Sequence, residues 1–448
     1  MNSRAGAATG RSQMRKVTDF PYAWDQLITR SGEQVQNMPH PEDRPFSPEE
    51  WDKIEREGME EAVEWPGALT HADSARGPSR FSRAPFLVIW ETTRACDLAC
   101  KHCRAEAVLC RHPLELTTAE AKRLMDDIRR FGRLVFVLSG GDPVQRPDIV
   151  DLVEYGSGIG LRMGLTPATT ARVTPELLLR LKASDLGRLA VSLDGSNSAI
   201  HDTFRQVEGS FEHALRILRQ ARAVGLSTQV NTVVGRHNLD DFPSLCSLMS
   251  ELGIVFWEVF FLVPLGRARP EDVPSADEVE AIFHQLYDLS KSAPFDIKAT
   301  AAPHYSRVVL QRQAAERRAG TREDRPDPLA AYLYYSMKDG IGRARGVIEG
   351  DGFAFISHMG EIYPSGFLPV SAGNVRTHDL VDVYRNAPLF RQLRDRGLLK
   401  GKCGACAYRE ICGGCRARAY AMTGDYLESE PTCAHVPARF EVSVVGSR

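Results

Sequence analysis

The chain has 448 residues, of which 43% are hydrophobic and 25% are charged, and its formal net charge is −2. These values are ordinary for a globular protein of about two or three domains and give no sign of a nucleic-acid or anionic-membrane partner. No apolar run approaches the roughly 18 residues that a membrane span needs. The basic N-terminus also lacks the apolar stretch of a secretory signal. We therefore expect a cytoplasmic protein.

Residues 1–82 are polar and rich in Pro, Gly and charge, which predicts an N-terminal arm. Ser47 can cap a helix there, and Glu50 completes a capping box for a helix that ends near Trp65. A partly disordered leader is an equally consistent interpretation of the same composition.

From Pro85 onward, short apolar segments alternate with amphipathic ones. Six predicted strands begin at Pro85, Arg133, Leu161, Arg188, Leu226 and Val255. The predicted helices between them begin at Thr117, with a capping box to Glu120, and lie near 148–158, 175–184, 210–224, 240–252 and 276–291. This alternation predicts an α/β fold with a parallel sheet buried on both faces. We expect a partial or complete barrel over residues 83–305, with its site at the C-terminal ends of the strands.

The last third of the chain has a different composition. Residues 306–345 are highly charged and are predicted to form a connection or surface helices. A hairpin with Met359 and Gly360 at its turn and a helix near 379–396 follow. They belong to a predicted C-terminal region, residues 346–448, that ends in a cluster of cysteines.

Ten cysteines are many for a chain in a reducing compartment, where clustered cysteines indicate a metal or catalytic site. Cys96, Cys100 and Cys103 follow the first predicted strand with the spacing Cys-x3-Cys-x2-Cys. Thiolates bind iron–sulfur clusters well, and three of them leave one iron of a four-iron cube open. An open iron can bind S-adenosylmethionine (SAM) for reductive cleavage to a radical. A structural zinc site is the alternative, but zinc usually takes four ligands in paired Cys-x2-Cys units.

This cysteine loop resembles the signature of the radical SAM superfamily. The segment 139–143, Ser-Gly-Gly-Asp-Pro, is similar to the family's GGEP motif, with Asp142 in place of the usual Glu. The resemblance implies a partial (β/α)6 radical SAM barrel in which the backbone of this segment binds the methionine amino group of SAM. Glycine allows such a close backbone approach.

The resemblance also implies a set of SAM-binding side chains further along the barrel. The expected cofactor-binding residues are His102, Gly140, Gly141, Asp142, Pro143, Ser192, Asp194, Arg205, Asn231, Phe261 and Val263. Ser192 and Asp194 match positions that hold the ribose hydroxyls or the SAM carboxylate, and Arg205 could pair with that carboxylate. The alternatives are a strand-end turn for Asp194, a surface position for Arg205 and core packing for Phe261.

The C-terminal cysteines have the spacing Cys-x2-Cys-x5-Cys-x2-Cys-x17-Cys. They resemble the SPASM/twitch extension of radical SAM enzymes, which holds auxiliary clusters, whereas a zinc ribbon is the alternative. The preceding hairpin has Ser365 where a full SPASM domain has a cysteine. We therefore expect one auxiliary [4Fe–4S] cluster, with ligands Cys403, Cys406, Cys412 and Cys433.

Segments 366–376 and 413–433 resemble the haem-pathway branch, in which Ser commonly replaces Cys415. Cys415 is therefore a spare thiol, a substitute ligand or, as a candidate catalytic residue, a hydrogen-atom donor. The resemblance implies cleavage of SAM to a 5′-deoxyadenosyl radical, a flavodoxin- or ferredoxin-type electron donor and oxidative tailoring of a tetrapyrrole side chain. Sugar epimerisation, ribosomal-peptide maturation and a non-enzymatic zinc- or cluster-binding scaffold are the alternatives.

Overall fold

One open sheet organises the described part of the chain, which comprises residues 79, 81–320, 346–438 and 440 of this computed structural model. Seven parallel strands lie side by side in chain order: β1 (Leu87–Glu91), β2 (Val135–Ser139), β3 (Arg162–Leu165), β4 (Arg188–Ser192), β5 (Thr228–Val234), β6 (Phe256–Phe261) and β7 (Asp296–Thr300). All six predicted strands are present, and the unclosed sheet confirms the partial α/β barrel. The helix predicted near residues 47–65 lies outside the described residues.

Helices connect the strands and bury one face each. They are α1 (Thr118–Arg129), α2 (Ile149–Gly158), α3 (Pro175–Ala183), α4 (Ser198–Arg205), α5 (Ser210–Ala223), α6 (Phe242–Glu251), α7 (Ala276–Ser290) and α8 (Tyr305–Arg318). The capping box predicted for α1 is confirmed, since the Thr117 hydroxyl accepts from the N–H of Glu120 and the Glu120 carboxylate accepts from the N–H of Thr117. None of the helices in the described residues is long and apolar enough to cross a bilayer.

Strand β7 and helix α4 were not predicted from the sequence. The strand reads Asp-Ile-Lys-Ala-Thr and lacks the apolar run by which the other strands are recognised. In the structure, Lys298 Nζ and Thr300 Oγ1 lie 3.1 and 2.6 Å from Oε1 of Glu258 on β6. The polar strand is thus satisfied by a neighbouring carboxylate, which hydropathy does not reveal.

The predicted hairpin consists of β9 (Gly352–Ile356) and β10 (Glu361–Tyr363), with short strands β8 (Ile348–Glu349) and β11 (Gly373–Asn374) beside it. Its turn is closed by a hydrogen bond from the N–H of Gly360 to the carbonyl of Ser357, 2.9 Å. Strand β9 pairs in parallel with β1. The C-terminal hairpin therefore extends the sheet of the barrel.

The helix predicted near 379–396 is divided into α9 (Leu380–Asn386) and α10 (Pro388–Arg394). Pro388 lacks an amide hydrogen, so it cannot continue α9 but suits the first turn of a new helix. Two further helices, α11 (Gly401–Ala405) and α12 (Arg416–Thr423), carry or adjoin the C-terminal cysteines.

Candidate functional site

The loop after β1 brings three cysteines together at the C-terminal edge of the sheet. Cys96, Cys100 and Cys103 all line one large cavity. The base of the loop is closed by a bridge between Ala95 and Val108, in which the N–H of Cys96 donates to the carbonyl of Val108 at 2.8 Å. The loop is therefore held at its two ends, while its thiols face the cavity.

Hydrogen-bond donors already point at these sulfurs. Backbone N–H groups lie 3.3 Å from Sγ of Cys96 and 3.4 Å from Sγ of Cys103. Arg205 Nη1 lies 3.7 Å from Sγ of Cys100. Such donors stabilise negative charge on cluster sulfurs. The three thiols and their donors thus fit an iron–sulfur cluster.

Gly140 and Gly141 pack directly against the base of the cysteine loop. The N–H of Gly141 donates to the carbonyl of Thr93 at 2.7 Å. A Cβ on Gly140 would lie 2.5 Å from the Thr93 carbonyl oxygen, and a Cβ on Gly141 would lie 2.5 Å from that of Ala95. Only glycine fits at both positions, because rigid backbone occupies the space of a side chain. Both glycines also line the cavity.

Asp142 and Pro143 directly follow the two glycines but are not among the residues that line the cavity. One carboxylate oxygen of Asp142 accepts hydrogen bonds from the N–H groups of Val144 and Ala168, both at 3.2 Å. Burial raises the pKa of the Asp142 carboxyl to about 6. Pro143 begins a short 3-10 turn. These two residues therefore brace the turn after β2.

Arg205 lies between the cysteine loop and the buried Asp194. Oδ2 of Asp194 accepts from Arg205 Nε at 2.6 Å, and Oδ1 accepts from the N–H of Val233 at 2.8 Å. Burial alone would raise the pKa of Asp194, but Arg205 and nearby histidines outweigh it and lower the pKa to about 2. Asp194 is therefore placed to orient Arg205, and it is Arg205 that lines the cavity.

A row of polar side chains crosses four strands at one level. Ser192 of β4 pairs in register with Asn231 of β5, Asn231 with Glu258 of β6, and Glu258 with Lys298 of β7. Register partners face the same side of a sheet, and all four line the cavity. Burial alone would raise the pKa of Glu258, but the contact with Lys298 and further hydrogen bonds outweigh this effect, so the pKa is lowered overall.

Three further predicted SAM-binding residues also line the cavity. His102 stacks on Phe204 with ring centroids 4.3 Å apart, and burial lowers its pKa to about 3. Phe261 and Val263 lie at and beyond the end of β6, and Phe261 also packs on Phe283 of α7 at 4.9 Å. Phe261 thus belongs both to the cavity wall and to the core.

A charged group at the end of β1 was not predicted from the sequence. The buried Glu91 accepts from Arg104 Nη2 at 2.7 Å and contacts His358 Nδ1 at 2.7 Å. Burial alone would raise the pKa of Glu91, but Arg104 and His358 lower it to about 2. Arg104 lines the cavity and lies 4.6 Å above the ring of Phe355. Two signals in the sequence point to this pair: Glu91 is an acid at the end of a strand, and Arg104 directly follows the third cysteine.

The cavity has a volume of about 410 Å³. Most of its wall is apolar and includes Leu87, Ile89, Val135, Val137, Phe256, Phe260, Phe353, Phe355 and Phe367. Its charged lining comprises four cations, Arg104, Arg188, Arg205 and Lys298, and two carboxylates, Glu258 and Glu349. Such a site suits a large apolar ligand that carries anionic groups.

Four cysteines line a second, smaller cavity in the C-terminal region: Cys403, Cys406, Cys412 and Cys433. Backbone N–H groups of Glu430 and Gly414 lie 3.2 Å from Sγ of Cys403 and 3.3 Å from Sγ of Cys412. Across the described residues, no three His, Cys, Asp or Glu side chains are gathered closely enough to hold a single metal ion. A cavity ringed by four thiols with N–H donors fits a four-cysteine cluster.

Cys415 lines neither cavity. Its fully buried thiol lies 3.0 Å from Oε1 of Glu349. The same sulfur accepts a hydrogen bond from the N–H of Arg418 at 3.4 Å and thereby caps the N-terminus of α12. Cys415 is thus the N-cap of α12, and its partner Glu349 lines the large cavity. The roles of Cys415 as a spare thiol or a hydrogen-atom donor stay predictions.

Residues 90–249 match the model of the radical SAM superfamily. An AdoMet-dependent heme synthase from Methanosarcina barkeri is 40% identical over 358 residues, which cover 80% of this chain and 99% of the relative. The chain belongs to the radical SAM superfamily. A pre-heme d1 synthase from Dinoroseobacter shibae is 28% identical over 78% of the chain and 85% of its own length. The predicted superfamily and its haem-pathway branch are confirmed.

The structure of Streptococcus suis SuiB bound to S-adenosylmethionine has the same fold, with a TM-score of 0.60 at 15% identity over 92% of this chain and 88% of SuiB. As a radical SAM enzyme, the protein uses a [4Fe–4S] cluster and SAM and requires a reductant.

Proposed function

We propose that this radical SAM enzyme converts propionate side chains of an iron-coproporphyrin into the vinyl groups of haem. The observation that carries the proposal is the cavity, in which the three N-terminal cysteines share one space with an apolar wall and four cations. A tetrapyrrole presents a flat apolar ring and carboxylates at its edge, which match these two kinds of surface. The haem synthase relative, which the chain matches over 99% of its length, supports the same substrate class.

In this proposal, Cys96, Cys100 and Cys103 hold the SAM-binding cluster, and the four cysteines of the second cavity hold one auxiliary [4Fe–4S] cluster. When bound, the first supplies the electron that cleaves SAM and the second supplies a one-electron acceptor. We assign the SAM carboxylate to Arg205, whose Nη1 lies 3.7 Å from Sγ of Cys100. Asn231 offers an amide to the nucleoside.

The net reaction balances if one electron leaves the substrate. A propionate that becomes a vinyl group loses CO2, one hydrogen atom and one electron, together with a proton if it starts as the acid. SAM cleavage accounts for the hydrogen atom, which ends in 5′-deoxyadenosine. We assign the carboxylates to Arg104 and Lys298, which line the cavity and belong to ion pairs other than Arg205–Asp194. The apolar wall excludes water from the radical.

We also propose a flavodoxin- or ferredoxin-type protein as the electron donor and the cytoplasm as the site of action. None of the ten cysteines, all of which lie in the described residues, forms a disulfide, which fits a reducing compartment.

The test is anaerobic incubation of reconstituted protein with SAM, a reductant and iron-coproporphyrin III. We expect 5′-deoxyadenosine together with products lighter by CO2 and two hydrogen atoms for each propionate. Formation of 5′-deoxyadenosine without binding or conversion of the porphyrin would overturn the proposed substrate.

An Arg104→Met variant tests the proposed carboxylate contact. Loss of a hydrogen bond to a charged group should raise KM for the porphyrin by about tenfold or more. Iron content and SAM cleavage without substrate should be compared with wild type, because the variant also leaves the buried Glu91 without its Arg104 partner. Arg129→Met is the control, because Arg129 lies on the exposed surface of α1 and donates to the carbonyl of Ile159.

A further inference from the structure

The segment between β7 and α8 connects the two cavities. Thr300, Ala301, Ala302 and Pro303 line the large cavity, which contains the three N-terminal cysteines. The next residue, His304, lines the smaller cavity of four cysteines. A single step along the backbone therefore leads from the proposed substrate site to the proposed auxiliary cluster.

His304 is a buried polar residue without a hydrogen-bond partner. His304 is only 1% exposed, and neither of its ring nitrogens has a hydrogen-bond partner in the structure. The ring packs edge-on against Phe283 at a centroid distance of 4.8 Å. Because an unpaired buried donor or acceptor is costly, such a group in a native protein is expected to have a partner other than the chain itself, a ligand or an ordered water.

The charged groups around His304 are already paired with each other. Glu430 binds Arg418 at 3.1 Å, and Arg307 donates to Glu280. Among the described residues that line the smaller cavity, His304 is the one whose two ring nitrogens both lack a hydrogen-bond partner. A cluster bound by the four thiols would place sulfur acceptors in the cavity that His304 lines.

We propose that His304 donates its ring N–H to a sulfur of the auxiliary cluster and thereby raises the reduction potential of that cluster. This inference rests on the proposed auxiliary cluster. One N–H is present in either tautomer of a neutral imidazole. A hydrogen bond to a cluster sulfur stabilises the reduced state, which carries the additional negative charge, more than the oxidised state. His304 is thus a positioning residue that favours electron transfer from the substrate side.

The test is a redox titration of full-length, reconstituted protein followed by electron paramagnetic resonance. Added SAM identifies the cluster with an open iron, so the SAM-insensitive signal reports on the auxiliary cluster. His304→Leu should shift the midpoint of that signal to more negative potential by about 59 mV, which is a tenfold change in a one-electron equilibrium constant. The SAM-sensitive signal should keep its midpoint.

Two variants separate the hydrogen bond from packing. His304→Gln retains an N–H donor and should restore a substantial part of the shift, whereas Phe283→Leu alters the packing but keeps the imidazole and should leave the midpoint unchanged. Loss of the SAM-insensitive signal in His304→Leu alone, with the signal retained in His304→Gln, would also support the proposal.

An unchanged midpoint in His304→Leu would overturn the inference, and so would loss of the cluster in both His304 variants, which would indicate a ligand. Failure of the underlying assignment gives a different result. Wild-type protein would then bind about four irons and show one cluster signal, rather than about eight irons and two signals.

Discussion

Asp194→Asn should destabilise the protein far more than the loss of an exposed ion pair. Asp194 is fully buried and holds Arg205 through its carboxylate, with Nε–Oδ2 at 2.6 Å. Its other oxygen accepts from the N–H of Val233 at 2.8 Å. An asparagine amide has a single acceptor oxygen, so its NH2 group would face one of these two donors and could not accept a hydrogen bond from it.

Two effects set the expected loss in the free energy of unfolding of Asp194→Asn. The pKa of Asp194 is lowered from 3.8 to about 2, and at about 1.36 kcal/mol per unit the ionised form is favoured by roughly 2.4 kcal/mol on folding. Asparagine loses this term and also leaves the guanidinium of Arg205 buried without a counter-charge. Breaking a buried pair from one side typically costs about 3–5 kcal/mol, which is the loss that we expect.

The pH dependence has a defined sign. Because folding lowers the pKa of Asp194, its stabilising contribution is complete above about pH 4, the unfolded value, and is lost as the pH falls towards 2. The difference between wild type and Asp194→Asn should therefore shrink in acid.

The assay is anaerobic urea unfolding of reconstituted protein. The control is Asp97→Asn, which breaks the exposed pair between Asp97 and Arg172, 2.6 Å, and should cost less than about 1 kcal/mol. The double variant Asp194→Asn with Arg205→Met should recover part of the stability, since it removes the unpaired charge. Equal losses in Asp194→Asn and Asp97→Asn, or strictly additive effects in the double variant, would refute the reasoning.

Three further outcomes are expected. Gly141→Ala should lose the SAM-sensitive cluster and about half of the iron, because its Cβ would meet the Ala95 carbonyl oxygen at 2.5 Å; unchanged iron analysis would contradict this. Glu91→Gln should remove roughly 3 kcal/mol of stability above about pH 4.5, and the deficit should vanish towards pH 2 in stepwise unfolding measurements, whereas a constant deficit would contradict the lowered pKa. Cys415→Ser should keep both clusters and full turnover, since a hydroxyl preserves the cap of α12; lost turnover with intact clusters would support the hydrogen-donor hypothesis.

The barrel was predictable because its strands are apolar runs and its helices have local start signals. The capping box at Thr117 needs only residues three positions apart, and an apolar strand needs only its own composition. Strand β7 was not predicted because its polar residues form hydrogen bonds with Glu258, a residue of another strand. Local patterns cannot reveal compensation that comes from a distant segment.

The same distinction applies to the candidate site. The cysteine spacing and the resemblance identified residues that line the two cavities, but they did not give side-chain orientation. Asp194 proved to face Arg205, and Cys415 proved to cap a helix. The contact of Glu91 with His358 joins residues 267 positions apart and depends on the pairing of β9 with β1. No spacing rule contains that information.

Three cavity cations are each paired with a carboxylate: Arg104 with Glu91, Arg205 with Asp194 and Lys298 with Glu258. Of these carboxylates, Glu258 also lines the cavity. This pairing reduces the net positive charge that an anionic ligand would meet, so it weakens nonspecific attraction. It also fixes the donors in advance, which lowers the entropy lost on binding.

A ligand then gains most when several of its anionic groups match the fixed positions of these donors at once. A small carboxylate can satisfy one such donor, whereas a rigid ring with several propionates can satisfy more than one. Selection by geometry would therefore favour the multiply carboxylated tetrapyrrole over abundant small acids, although each individual ion pair is partly neutralised.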